Sequence, residues 1–383
     1  MYWETQTVEN LLWFKSTQPK EKTMKNKKMR VGIVGCGMIS ETYLKNITTQ
    51  FSNLEVVACC DAQMEKAQKR AEQFGIEART NEEILSDPTI EMVVILTPAP
   101  THYELIKQGL LAGKHVYTEK TMTIDLEQAK ELVALAKEKG LYLGAAPDTF
   151  LGAAIQKARE LIDSGAIGEV TSFLVYSNRC LDLLTCFYPF LRLPGGGICY
   201  DFGVYHLTAL VSLLGPMAKI SAVVENKKPL RFNTQFNTPD YGKPYHYDNE
   251  AQVTAILQTE SGITGSFSIN GESIVDDLTA FRIYGTKGVL QLPDPNFFGG
   301  EVKLIYGEND VRVVENDLPY QGNDRGLGPS EMTNAIWEGR PNRASKEQAI
   351  HVLDIIECMM KSSECGAFVD ITTTCKQPDP LHK

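Results

Sequence analysis

The chain has 383 residues, 43% of them hydrophobic, and a formal net charge of −10. That length suits two domains with ordinary cores, and an acidic balance without a basic face excludes nucleic acid as a partner. No apolar run reaches membrane-spanning length, and nine cysteines without a C-x-x-C pair or zinc spacing predict reduced thiols in a cytoplasmic protein, with no disulfide framework and no metal site.

Residues 1–28 show no secretory signal and read as a polar leader with a few aromatics (Tyr2, Trp3, Trp13, Phe14), disordered or peripherally packed. The start codon stays open between Met1, Met24 and Met29. From Met29 the pattern alternates. Met29–Val34 reads as a strand, followed by a helix to about Asn46. Leu54–Cys60 is a strand ending at Asp61, and Met64–Phe74 a helix stopped by Gly75. The continuous apolar run Met92–Leu96 has the composition of a strand buried on both faces. A helix over Thr101–Leu111 and a strand at His115–Thr118 follow. Asp125 caps a helix running to Gly140, with Gln128 in the capping-box position, and Leu141–Ala146 is the last strand. This alternation predicts an α/β fold, with an N-terminal Rossmann domain over residues 29–148 built on a doubly wound parallel sheet.

Beyond Asp148 the pattern changes. A helix covers Ala153–Asp163 and a strand covers Val170–Ser177, and Gly195-Gly196-Gly197 precedes a helix over Val204–Leu214. Then come consecutive strands at about Ile220, Ala251–Gln258, Ile263–Ile269, Thr279–Tyr284 and Val302–Tyr306, with turn signals between them. Asn226–Asn249 reads as a long loop. Helices at Pro329–Trp337 and Lys346–Met360 end the chain. Residues 149–383 are thus predicted as an α+β domain with a large, mainly antiparallel open sheet.

Gly35-Cys36-Gly37-Met38-Ile39-Ser40 follows a strand and opens a helix, the context in which such a loop holds a dinucleotide. Gly35 permits the tight turn, and Gly37 lets the backbone approach a pyrophosphate at the helix start, where Met38 and Ile39 lie. Asp61, 24 residues after Gly37, ends the second strand. A carboxylate there accepts from the adenosine ribose and repels a 2′-phosphate, which favours NAD over NADP. Thr97-Pro98 ends the central strand in a rigid loop. His102 either faces the nicotinamide ribose or lies on the next helix. Glu119-Lys120-Thr121 follows a strand, so Lys120 sits at the carboxyl edge of the sheet, where ligands lie.

These residues, with Gly113-Lys114-His115-Val116-Tyr117, Ala146-Pro147, Gly195-Gly196-Gly197, Asp201 and Gly203, resemble the Gfo/Idh/MocA oxidoreductases from about residue 29 to residue 365. The resemblance implies NAD(P)-dependent oxidation of a sugar or polyol hydroxyl and a second domain whose open sheet serves contacts between copies. It assigns Lys120 and Asp201 to catalysis, and Glu119 to the nicotinamide ribose. Two positions depart from the pattern. Thr121 stands where the family has proline, and Tyr205 stands at the family's histidine, with His206 one step on. One helical step is about 100°, so Tyr205 and His206 cannot face the same way, and either is left as the acid/base partner of Lys120. Burial and a nicotinamide charge are expected to lower the Lys120 pKa.

Asp148 and Thr149, at the end of the last Rossmann strand, are predicted to contact the sugar. The segment Arg179–Leu191 is unusually apolar. It reads as core packing, as an oligomer contact, or as a receptor for an apolar aglycone at Phe187 and Tyr188. A sugar or glycoside dehydrogenase acting at C3 is the leading reading. A glycosidase that retains its NAD and a non-catalytic sugar or NAD sensor are the alternatives. The retained Lys120 and Asp201 argue against the sensor.

Overall fold

A computed structural model describes residues 27–277 and 279–381. The leader up to residue 26 and His382 lie outside the described residues. Strands β1 (Met29–Val34), β2 (Leu54–Cys60), β3 (Glu77–Ala78), β4 (Met92–Ile95), β5 (His115–Thr118) and β6 (Leu143–Ala145) form one parallel sheet in the order β3-β2-β1-β4-β5-β6. Helices α1 (Met38–Thr49), α2 (Met64–Phe74), α3 (Asn81–Ser86), α4 (His102–Leu111) and α5 (Leu126–Lys139) connect them. The order reverses between β1 and β4, which opens the crevice where a doubly wound sheet binds ligands. The Met29–Val34 and Met92–Ile95 strands are almost wholly buried, as sheets covered on both faces require. Cys59 and Cys60 are buried within β2. Among the described residues every cysteine is a free thiol.

The second half contains α6 (Ala153–Asp163), β7 (Val170–Asn178), α7 (Leu181–Phe187), α8 (Val204–Leu214), β8 (Met217–Glu225), β9 (Leu230–Phe232), β10 (Pro244–His246), β11 (Gln252–Thr259), β12 (Thr264–Asn270), β13 (Thr279–Gly285), β14 (Val289–Leu292), β15 (Lys303–Gly307), β16 (Asp310–Val313), α9 (Leu327–Glu338), α10 (Lys346–Cys365) and β17 (Val369–Asp370). Nine of these strands form a sheet in the order β16-β15-β14-β13-β7-β12-β11-β8-β17, antiparallel except for the β7–β12 pair. Along β11, Val253, Ala255 and Leu257 are buried while Thr254 and Ile256 are exposed. That alternation marks one packed face and one open face.

Every residue of α8 is buried. A helix apolar all round belongs inside a core, and α8 packs between α6 and α10. The chain returns to the first sheet near its end. α9 packs on β6, α10 packs on both β8 and α5, and Gly144 bridges to Ser345.

The segment Asn226–Asn249 is not a featureless loop. It contains the antiparallel β9–β10 hairpin, pinned by the buried Arg231, which pairs with Asp182 at 2.6 Å and Glu272 at 3.4 Å. The apolar stretch after Arg179 forms α7. No helix among the described residues is long and apolar enough to cross a membrane.

Candidate active site

The crevice between β1 and β4 is lined on one side by the glycine loop. Gly35 has φ +104°, and a Cβ there would stand 2.8 Å from the Leu96 carbonyl carbon. Both the dihedral and the crowding demand glycine. At Gly37 a Cβ would meet nothing within 4 Å. The protein's own packing does not call for glycine there, so the open space above the loop is available to a ligand. α1 starts at Met38 with no side-chain cap, which leaves its first amides free for an anion. Asp61 anchors the loop from β2, accepting from the Cys36 amide through Oδ2 and the Gln63 amide through Oδ1, each at 2.8 Å. These features fit a dinucleotide.

β5 delivers Glu119 and Lys120 to the same edge. The Lys120–Thr121 and Ala146–Pro147 peptides are cis. Lys120 Nζ forms a close ion pair with Asp201 Oδ1 and donates to the Asp201 carbonyl at 2.8 Å. It also lies 5.6 Å from the centre of the Tyr205 ring. Asp201 is carried by Cys199–Gly203, a single wide π-type turn that runs into α8. Such turns recur at functional sites because they re-aim side chains.

Glu119 accepts from Tyr43 Oη at 2.6 Å. Arg325, on the loop before α9, interacts with Tyr205, Glu119 and Asp148 and is braced by Asn296 Oδ1 at 2.9 Å and Asn323 Oδ1 at 2.8 Å. Lys120, Asp201, Tyr205 and Glu119 are therefore brought together, with Tyr43 and Arg325 added. Tyr43 is hidden within an ordinary helical pattern, and Arg325 within a polar loop that carries no motif.

The structure corrects several expectations. Burial does pull the Lys120 ammonium down, but Asp201, Tyr205 and Glu119 outweigh it and hold the pKa above the usual lysine range. Lys120 is a charged donor here. His206 does not share the site. Its ring is fully buried, 5.0 Å from Phe202 and 5.9 Å from Phe281. Burial pushes its pKa down to about 4, with Asp294 and the Phe202 backbone opposing.

Tyr205 is the one of the two that meets Lys120. Burial raises its phenol pKa, with Lys120 and Arg325 opposing. His102 does not face open space. It is fully buried, with Nδ1 2.6 Å from the Thr121 carbonyl and Nε2 2.8 Å from the Thr97 carbonyl. It ties the Thr97-Pro98 loop to the lysine turn, and burial lowers its pKa.

Asp148 does not line an open cleft either. Its Oδ2 accepts from the Gly326 and Gly328 amides at 3.2 and 2.9 Å, at the start of α9. Burial raises its pKa to about 6. Thr149 is buried beside it. Tyr188 is exposed, its ring between Phe187 and Phe190.

Residues 29–146 match the family described as "Oxidoreductase family, NAD-binding Rossmann fold", and residues 155–291 match the "GFO/IDH/MocA C-terminal domain". An uncharacterized oxidoreductase of Escherichia coli, YdgJ, is 30% identical over 346 residues, which cover 88% of this chain and 96% of that protein. The scyllo-inositol 2-dehydrogenase (NADP(+)) IolW of Bacillus subtilis is 24% identical over 348 residues, covering 88% and 94%. A levoglucosan dehydrogenase in complex with NADH and L-sorbose superposes with a TM-score of 0.79 at 20% identity, covering 90% of this chain and 99% of that one. The first domain is an NAD-binding Rossmann domain.

Proposed function

The chain belongs to the Gfo/Idh/MocA oxidoreductases, and from that premise we propose that it is an NAD-dependent dehydrogenase oxidising a secondary hydroxyl, at C3, of a sugar or glycoside. The observation that carries the reading is the Lys120–Asp201 ion pair at the carboxyl edge of the parallel sheet, on the β5 side of the switch point that the glycine loop opens. An inositol dehydrogenase and a levoglucosan dehydrogenase among its relatives support an alcohol substrate of the sugar type. Asp61 supports NAD over NADP, because a carboxylate at that strand end repels a 2′-phosphate.

NAD, held by the glycine loop and Asp61, would supply the hydride acceptor for oxidation of the carbinol carbon. Lys120 holds the hydroxyl oxygen and takes its proton once its own has been lost, with Asp201 fixing the position of the amine. In the reverse direction the ammonium supplies that proton. Tyr205, between two cations, is the second proton-bearing group offered to the reacting oxygen. Glu119, held by Tyr43, would contact the nicotinamide ribose.

The exposed rings of Phe187, Tyr188 and Phe190 support an apolar aglycone. They precede the Gly195–Gly197 loop, where a Cβ on Gly195 would stand 2.4 Å from Ile124 of the nucleotide domain. Replacing Phe187 and Tyr188 with Ala should raise KM for an aryl glycoside well beyond that for the free sugar. A cytoplasmic enzyme that assembles from copies through the open sheet face, where Val223 and Ile256 are exposed, completes the proposal.

The test is NADH formation from NAD against free sugars, inositols and aryl glycosides, with Lys120→Ala as control. Turnover lost in the control is expected. Aglycone release without net NADH would replace the dehydrogenase by a glycosidase that retains NAD. Tight NAD binding with no chemistry on any substrate would leave a sensor.

A further inference from the structure

Glu250 lies outside the Lys120–Asp201–Tyr205 cluster, on the segment between β10 and β11, yet it governs the turn that carries Asp201. Its backbone carbonyl accepts from the Ile198 amide at 3.1 Å, and its Oε1 accepts from the Cys199 amide at 2.9 Å. These amides open the Cys199–Gly203 turn, which has no side-chain cap of its own sequence. The preceding residues reinforce the grip. Tyr247 Oη donates to the Gly196 carbonyl at 3.0 Å, and Asn249 Nδ2 donates to the Leu191 and Leu193 carbonyls at 3.1 and 2.8 Å.

Gly197 completes the fit. A Cβ there would stand 1.9 Å from Glu250 Oε2, and the three atoms it would meet first all belong to the Glu250 carboxylate. The glycine is thus the gap through which that carboxylate closes on the turn. The Asp201 amide in turn donates to the Gly197 carbonyl at 2.8 Å. Glycine, carboxylate and Asp201 form one continuous chain of contacts ending at Lys120.

We propose that Glu250 is a positioning residue for the reaction: it caps the turn that presents Asp201 to Lys120, and Gly197 is glycine so that it can. This rests on the reading of Lys120 and Asp201 as the reacting pair. Burial pushes the Glu250 carboxyl up to about 7, with its hydrogen bonds from the turn opposing and the Asp201 charge adding to the rise. The groups facing it are Asp201, Cys199 and Tyr200 on the turn and Tyr247 on its own segment, with the Arg231 guanidinium 4.9 Å beyond the Tyr247 ring. Its charge therefore changes near neutral pH, and it changes beside Asp201.

The experiment compares Glu250→Ala, Glu250→Gln, Gly197→Ala and the double variant Gly197→Ala/Glu250→Ala in the full chain. Amide hydrogen exchange over residues 198–203 is read alongside kcat, KM and the pH profile. Glu250→Ala should speed exchange of those amides about tenfold and lower kcat about tenfold, with KM for NAD unchanged. Glu250→Gln keeps an acceptor for the Cys199 amide. It should restore most of kcat while flattening the inflection near pH 7. Gly197→Ala displaces only the end of a flexible side chain. It should reproduce Glu250→Ala, and the double variant should be no worse than either.

Wild-type exchange over 198–203 in both Glu250→Ala and Gly197→Ala would overturn the inference whatever the activity. Local loss of protection in a protein that turns over no sugar would uphold the cap and overturn the catalytic reading instead.

Discussion

Asp201→Asn removes one charge from the candidate site and leaves an oxygen for Lys120 to contact. Two unit charges about 4 Å apart attract by about 4 kcal/mol at an effective dielectric near 20. The Lys120 and Asp201 side chains keep 15% and 24% exposure, so water screens part of that, and roughly half, about 2 kcal/mol, is the reasonable share. At about 1.36 kcal/mol per unit, the Lys120 pKa should fall by about 1.5 units once burial is no longer offset by Asp201. In the wild type it is held above the usual lysine range, so oxidation should still be rising with pH in the alkaline region. In Asp201→Asn that limb should move about 1.5 units toward neutrality.

Two readouts are needed. One is the pH profile of kcat/KM for oxidation, and the other is the pH dependence of Lys120 acetylation, followed by peptide mass, which does not depend on turnover. A displacement below about 0.5 unit in both, or one toward higher pH, would refute the reasoning. The stability sign follows from the same linkage. Because the folded Lys120 pKa lies above the unfolded one, the pair's contribution is full below about pH 10 and is lost as pH rises through the folded value. Asp201→Asn should therefore be less stable than the wild type throughout the neutral range.

Tyr205→Phe should lower kcat by about 100-fold or more while leaving NAD affinity within about threefold, as expected of a proton-handling group; a kcat within threefold of wild type removes Tyr205 from the chemistry. His206→Leu should leave kcat near wild type. Since the folded His206 pKa is about 4, below the ordinary value near 6.5, wild-type stability should drain away as pH falls from about 6.5 toward 4, by at most about 3 kcal/mol. Urea titrations across that range should show a flatter acid limb in the variant, and an unchanged limb would contradict the burial argument. Asp61→Ser should weaken NAD and shift the NAD/NADP affinity ratio by about tenfold toward NADP, read by fluorescence titration.

Where local chemistry decides the structure, the residues announced it. Gly35 at the end of an apolar strand, Asp125 before Leu126 and Gly140 after Lys139 mark the glycine turn and both ends of α5 at their observed places. The second sheet was legible from its alternation, as in β11. Two-residue β3 is too short to show a period. α3 opens on a reciprocal capping box between Thr80 and Glu83, but six residues barely make a helix on their own.

The β9–β10 hairpin depends on partners distant in sequence: Arg231 on Asp182, and Tyr245 Oη within 2.6 Å of Thr185 Oγ1. No local pattern encodes those contacts. The site divides in the same way. Lys120 and Asp201 stand at recognisable positions, while Tyr43, Arg325 and Glu250 reach it only because the chain folds back across both sheets.

The departure at Tyr205 makes sense as charge balance. Lys120 and Arg325 are cations, and both act on Tyr205. A neutral imidazole between two cations can gain only another positive charge, and both neighbours oppose that. A phenol in the same place can only become negative, which both neighbours favour, as the Lys120 and Arg325 effects on Tyr205 already show. An oxidised nicotinamide adds a further positive charge and strengthens that preference. The hydroxyl proton of a substrate can then leave through a lysine held by Asp201 or a phenol flanked by cations. His206, sealed between Phe202 and Phe281, has no access to the exchange.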